Sequence, residues 1–320
     1  MIERNSRKFS FPTKLAIFLM LLGGGFIAGS LVTSAVWVMM TGKSLLTLQN
    51  DLANPAYYYA VIVLQAISTF FIFFLPAWIF AMICYRSPVR FMGLDTPFNY
   101  RQVLWVLAIL ALTFPLSGAL SELARAIPLP QNWETKFKAM ETAREAQEAI
   151  LIKINSLPKY LISLALIGVL PAIIEEVLFR GTIQNFLTRW FKGPWAAILL
   201  TAFIFSIIHM SFYGFFVRFA LGIILGLIFY YSGSLWLVII LHFLFNALQV
   251  TALYIVNTGQ NPSVKDVEGN FPMWIGPIAI VFLYYAFMKF KDISWKNQEV
   301  FEYKETDNPD NFQDWIAKNS

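Results

Sequence analysis

The 320 residues carry 24 Lys and Arg against 19 Asp and Glu, yet only 13% of the side chains are charged and 58% are hydrophobic. Soluble domains run nearer a quarter charged, so this balance excludes an ordinary soluble enzyme, as does a mean hydropathy of +0.61. The single cysteine, Cys84, excludes an intrachain disulfide and a multi-cysteine metal site. The apolar residues come in blocks of about twenty or more, the length that carries a helix across a bilayer. Such blocks are too long and too uniform for barrel strands. The expected fold is therefore all-α, a polytopic membrane protein of about eight transmembrane helices. The pI near 9.2 reflects Lys and Arg in loops and tails, and nucleic-acid binding is not expected.

In chain order, residues 1–14 form a basic tail, with residues 15–290 as one transmembrane domain behind it. Leu15–Met40 is too long for a signal-peptide core and reads as a retained first span. It contains Gly25 and Gly29 at the spacing that lets another helix approach, a weak signal better explained by internal packing than by dimerisation. Ala56–Tyr85 is the second span. Arg86–Arg101 is a basic loop. Gln102–Leu123 is the third span, with Pro115 expected to kink it. In the long connection Ala124–Lys159, Asn132–Ile150 reads as a helix of mixed charge. An interfacial helix, a cap over the membrane domain and a solvated connector all fit that pattern.

Tyr160–Phe186, Trp195–Phe212, Phe215–Tyr231, Leu235–Val256 and Pro272–Phe290 are spans four to eight. The sixth carries Gly222 and Gly226. Residues 291–320 are a charged tail, expected to be partly disordered. Eight spans put both ends on one side. Lys and Arg are commoner in the tails, the Arg86–Arg101 loop and the Thr188–Pro194 turn than in the alternate loops. That bias places both termini in the cytoplasm of a multi-pass cell-membrane protein.

Few ionisable groups fall inside the spans. Glu175, Glu176 and Arg180 lie in the fourth, His209 in the fifth and His242 in the seventh, while Arg218 begins the sixth and can snorkel. A charge near mid-bilayer costs roughly 2.5–3.5 kcal/mol on insertion scales, so groups kept there are expected to work. On a helix Glu176 and Arg180 are four apart and can pair. Glu175 points about 100° away and must find partners on other helices. His242 and Asn246 share a face, as do Phe205 and His209, so Phe205 can fix that imidazole. At 1.5 Å per residue, Glu175 lies about 16 Å from the inner surface, His209 about 21 Å, His242 about 10 Å and Asn246 about 17 Å. These depths converge on one layer, hence on one cavity inside the bundle.

A carboxylate, two imidazoles and an amide in a low-dielectric pocket can activate water and stabilise an oxyanion. Alternatively, Glu175, His209 and His242 could ligate zinc that activates the same water. The usual H-E-x-x-H arrangement is absent, so a metal would need three separate helices. A proton-coupled transporter could use the same groups as a relay, but no inverted repeat or matched pair of broken helices is seen.

Glu175-Glu176-Val177-Leu178-Phe179-Arg180, Phe205-Ser206-Ile207-Ile208-His209 and His242-Phe243-Leu244-Phe245-Asn246 resemble the three motifs of the CAAX protease and bacteriocin-processing (Abi) family of intramembrane proteases, also called type II CAAX prenyl endopeptidases. The resemblance covers about residues 160–256. It implies that Glu175 is the catalytic glutamate activating water, that His209, His242 and Asn246 complete the site, and that Glu176 and Arg180 position the helix. The family is described as metalloprotease by tradition, whereas the ligand spacing favours a metal-free glutamate mechanism. Family members linked to protection from self-made peptides leave a non-catalytic immunity or scaffolding role as a further reading. The expected substrate is a hydrophobic or lipidated peptide, or a membrane-anchored protein. Nothing in the sequence reads as a prenyl-binding signature.

Overall fold

A computed structural model describes residues 9–52, 54–152, 154–259 and 271–306. The basic tail up to residue 8 and the charged tail from residue 307 lie outside the described residues. Among the described residues the chain is helical and contains no strand. The main helices are α1 (Phe11–Thr41), α2 (Pro55–Cys84), α3 (Tyr100–Ala126), α4 (Gln131–Ile152), α5 (Leu157–Phe191), α6 (Pro194–Ile207), α7 (Phe215–Ser232), α8 (Leu235–Thr258) and α9 (Ile275–Thr306).

By length and composition six of these, α1, α2, α3, α5, α7 and α8, are able to cross a membrane, which makes the chain a multi-pass membrane protein. The expected eight spans thus become six, together with two apolar helices that differ from the rest. Helix α6 is only 14 residues long. Helix α9 follows its apolar run without a break into the charged stretch that begins at Lys291, where disorder was expected. Helix α1 starts at Phe11, which moves Lys14 out of the basic tail and into the first helical turn. Pro115 lies within an unbroken α3.

Helices α5 to α8 form the centre. Helices α1 and α2 pack together on one flank of α5, and α3 and α9 pair on the other side, against α7 and α8. Proline shapes both long broken spans. Proline has no N–H and clashes with the carbonyl four residues earlier, so the helix before it must widen or kink. In α2 a π-helical stretch, Phe70–Phe74, precedes Pro76, and in α5 another, Leu164–Val169, precedes Pro171. The wide turn of α2 presents its backbone to α1. A Cβ on Gly25 would lie 2.4 Å from the Phe71 carbonyl oxygen and 2.6 Å from Pro76 Cγ. The small residues of α1 therefore serve internal packing.

The two ends of the bundle are built differently. At the end holding Phe11, the connection after α2 folds inward. Phe91 and Met92 are fully buried, and the Phe91 ring stacks on Tyr85 at 3.6 Å between centroids. Gly93 has φ +75° and touches the α7–α8 turn so closely that a Cβ there would lie 2.3 Å from the Gly233 carbonyl oxygen. Leu235 N–H donates to the Gly93 carbonyl at 2.9 Å, Ser234 Oγ to Thr96 at 3.0 Å and Trp236 Nε1 to Leu94 at 2.8 Å. Asn185 donates to the Phe91 carbonyl. The stretch read as a basic loop is a plug. Beside it, Gln102 and Ser294, both buried, hydrogen bond and join α3 to α9.

At the opposite end the α6–α7 hairpin is short. Both arms start or finish at the plugged end. At 1.5 Å per residue α6 rises about 21 Å and α7 about 27 Å, against about 36 Å for α8 and 40 Å for α3. The hairpin tip, residues 208–214, is thus recessed by about 10 Å. The amphipathic-looking α4 lies against that tip. Phe137 stacks on Phe212 at 4.6 Å, and Ser211 Oγ donates to Glu141 Oε2 at 2.9 Å.

Candidate active site

Helix α5 supplies the acids and the arginine from a region where its winding changes. Glu176 ends an α-helical turn, and Val177–Gln184 is π-helical. Single π turns inside α-helices are frequent at functional sites. The expected Glu176–Arg180 pair forms: Arg180 Nη1 donates to Glu176 Oε1 at 2.7 Å, and neither side chain is exposed at all. A buried pair needs further hydrogen bonds to offset its desolvation. Arg180 gains one from Nη2 to the Gly222 carbonyl at 3.1 Å and lies over the Phe205 ring at 4.8 Å. One turn on, Gln184 Nε2 donates to the Gly226 carbonyl at 2.9 Å.

Residues 180 and 184 on α5 thus meet residues 222 and 226 on α7, four apart on both helices. The glycines permit this. A Cβ on Gly222 would stand 2.8 Å from that of Ala202, and one on Gly226 would stand 2.8 Å from Gln184 Oε1. Sequence reasoning noted this small-residue spacing but not its partners. The matching i, i+4 spacing of Arg180 and Gln184 was the signal available.

Glu176 does more than pair with Arg180. His242 Nδ1 lies 2.7 Å from the same Oε1. An ionised carboxylate only accepts, so Nδ1 carries the proton and Nε2 is turned the other way. Arg180, Glu176 and His242 form one dry chain across α5 and α8. Glu176 Oε2 has no partner among the described residues. The sequence assigned Glu176 a place only in the arginine pair. Neighbouring acids 100° apart can both face a bundle interior, and helix geometry alone did not say which would reach the imidazole.

A second layer stays partly exposed. Glu175 is half-buried and lies within electrostatic reach of His242, Glu176, Arg180 and Arg218. His209, read as lying inside a fifth span, sits beyond the end of α6. The helix stops at Ile207, and Met210, with φ +51°, reverses the chain. A non-glycine residue in that conformation is uncommon and marks a constrained turn. His209 Nδ1 lies 2.7 Å from the Phe205 carbonyl, which can only accept. Nδ1 therefore donates, and in the neutral ring Nε2 is the acceptor. The ring is oriented by that carbonyl as well as by the expected contact with the Phe205 side chain, 5.1 Å between centroids. Phe205 also meets His242 at 6.1 Å and so stands between the two imidazoles.

Asn246, one turn beyond His242, donates through Nδ2 to the Ile167 carbonyl at 3.1 Å. Ile167 is four residues before Pro171, whose missing N–H cannot serve that carbonyl. Asn246 thus ties α8 to the broken stretch of α5 and keeps a second amide hydrogen.

The structure thus links Arg180, Glu176, His242, Phe205 and His209 through direct contacts, with Glu175 and Asn246 beside them. Among the described residues no three His, Cys, Asp or Glu side chains group closely enough to hold a metal ion, so Glu175, His209 and His242 are not drawn together as a ligand set in this arrangement. The Nδ1 bonds of His242 and His209 leave Nε2 of each ring for another partner, as in rings that ligate metals.

Residues 157–248 match the family described as type II CAAX prenyl endopeptidase Rce1-like. No curated protein and no solved structure matches the chain. The matched stretch runs from the start of α5 into α8 and contains Glu175, Glu176, Arg180, Phe205, His209, His242 and Asn246.

Proposed function

Residues 157–248 make this chain a member of the CAAX protease family of membrane proteases, and we propose that it is an intramembrane endopeptidase in which Glu175 activates water to cut a hydrophobic or lipidated peptide. The observation that carries this reading is the buried chain Arg180–Glu176–His242 beside a half-buried second carboxylate. The buried chain spends its charges on holding one imidazole. Glu175 stands half-buried outside that chain of direct bonds.

In the proposed reaction Glu175 takes a proton from water as the oxygen attacks the scissile carbonyl carbon. His209, an acceptor at Nε2, helps align that water. This differs from the sequence expectation that His209 stabilises the oxyanion, because a ring that donates at Nδ1 has no second N–H while neutral. The developing oxyanion is met by the second amide hydrogen of Asn246, beside the His242 ring that Glu176 holds through Nδ1. Glu175 then passes its proton to the amide nitrogen, the C–N bond breaks, and a carboxylic acid and an amine form; the acid gives its remaining proton to the amine, and the two leave as carboxylate and ammonium. Glu176, Arg180 and Phe205 are positioning residues. No step is routed through a metal, because the donor set does not converge. The Lys and Arg distribution supports cytoplasmic termini in the cell membrane.

The test is cleavage of hydrophobic and lipidated peptides by the full chain in liposomes, with Glu175→Gln as the deciding variant. It is expected to fold normally and to lose about 10²–10⁴-fold in kcat. Unchanged cleavage would remove Glu175 from the reaction. Activity that survives in protein shown metal-free by elemental analysis supports the glutamate mechanism, and activity that returns only with added zinc overturns it.

A further inference from the structure

The catalytic machinery and the cover over it come from different parts of the chain. His209 lies in the recessed turn 208–214, and the other end of the bundle is closed by Phe91, Met92 and their hydrogen bonds. Helix α4 lies outside the family-matched stretch and touches that turn at two places. Phe137 stacks on Phe212 with the rings 7° from parallel, and Glu141 accepts from the Ser211 hydroxyl. Ser211 is 6% exposed and also receives the Gly214 N–H at 3.0 Å, so the group that α4 grips is the one that closes the turn.

Elsewhere the exposed positions of this part of α4 are mixed, with Trp133 and Met140 among them. Lys138 pairs with Glu134 at 2.6 Å in the open. The helix is joined to α3 by Ile127-Pro128-Leu129-Pro130, in which only Ile127 and Leu129 have an N–H to give to a neighbour, so the joint cannot continue either helix.

We propose that α4 is a lid over the proteolytic site, latched by Phe137 and Glu141 onto the tip of the short hairpin, and that it must lift for a peptide to reach Glu175 and His209. The chemistry suits a latch. Among the described residues one aromatic stack and one hydroxyl–carboxylate hydrogen bond tie the helix to the hairpin tip, beside its approach to α2, and contacts of that kind can be released and remade. A plugged opposite end leaves the lid side and the lateral gaps between helices as the routes to the site. This inference rests on the proposed proteolysis for its purpose, but not for its geometry.

Two measurements on the full chain in liposomes test it, both in a Cys84→Ser background that removes the one native thiol. In the first, Ser211→Cys is labelled with a water-soluble maleimide, with and without Phe137→Ala. Loosening the latch is expected to raise the labelling rate about fivefold. An unchanged rate overturns the lid, whether or not any peptide is cut. In the second, Phe137→Cys with Phe212→Cys is joined by a short reducible crosslinker. Peptide cleavage is expected to fall at least about tenfold and to return on reduction. Full cleavage by the crosslinked protein overturns the proposal. If no form cleaves peptide, reduced protein included, the proteolytic reading fails and the labelling rate alone decides the lid.

Discussion

The plugged end of the bundle and the end beneath α4 use opposite means to cover the same core. The plug is built from fully buried apolar side chains and backbone hydrogen bonds, with Gly93 seated against Gly233 at a separation no larger residue tolerates. Among the described residues the α4 end meets the hairpin tip through one ring stack and one side-chain hydrogen bond, over a turn whose Met210 is 64% exposed. Tight apolar packing transmits strain and resists opening, whereas a polar, half-exposed contact can be exchanged for water at little cost. The difference teaches where stability is kept and where motion is allowed. Changes near the plug and in the dry polar chain should move folding, and changes under α4 should move access.

The sharpest way to break that division is at the buried chain. Arg180→Ala would take the guanidinium from Glu176 and leave only the His242 imidazole beside it in a dry interior. It is expected to cost about 3–5 kcal/mol, read as collapsed folded yield and a lowered thermal midpoint in detergent. Normal yield would mean that the pair is not a structural centre. At the plug, Gly93→Ala forces a left-handed residue against a carbonyl and is expected to cost about 1–3 kcal/mol, with KM unchanged in whatever protein remains folded. A KM change there would blur the two ends.

Gly222→Ala crowds Ala202 and shifts the carbonyl that holds Arg180. A similar loss of about 1–3 kcal/mol is expected, now with kcat falling as well. Asn246→Ala removes one hydrogen bond to Ile167, about 1 kcal/mol. That stability cost should shrink in a Pro171→Ala background, where residue 171 regains an N–H for the same carbonyl, and a double-mutant cycle on thermal unfolding measures the coupling. At the small end, Ser211→Ala is expected to stay within about 0.5 kcal/mol of the parent in stability. Its signature is faster maleimide labelling of a Tyr213→Cys thiol at the hairpin tip in the Cys84→Ser background, and a large loss of stability would place the α4 contact with the core rather than with the moving parts.

Much of the candidate site was readable because lipid is an intolerant solvent. Glu175, Glu176, Arg180, His209 and His242 stand out against apolar helices, and four-residue spacing was enough to pair Glu176 with Arg180. What failed to show was which neighbour each group would choose. The spacing at 180 and 184 could not reveal that it would meet glycines 222 and 226, since nothing local records which helix packs against which. The fifth span was read five residues too long because Ile208-His209-Met210-Ser211-Phe212 is apolar enough to continue a helix. The chain instead turns at Met210 and spends His209 on the turn. Asn246 looked like a site residue through its spacing from His242, and its bond to Ile167 became visible only with α5 and α8 side by side.

The sequence by itself determined the structural class and picked out the candidate groups. Apolar block length made the chain helical and membrane-spanning, and the three short motifs carry the side chains proposed to react, because both properties are local. The tertiary structure decided the rest. It joined Glu176 to His242, made a plug of a loop that looked basic and solvated, and laid α4 across the recessed hairpin. Those outcomes depend on relative helix length and on contacts 66 to 142 residues apart along the chain, distances over which a periodic pattern carries no information about approach.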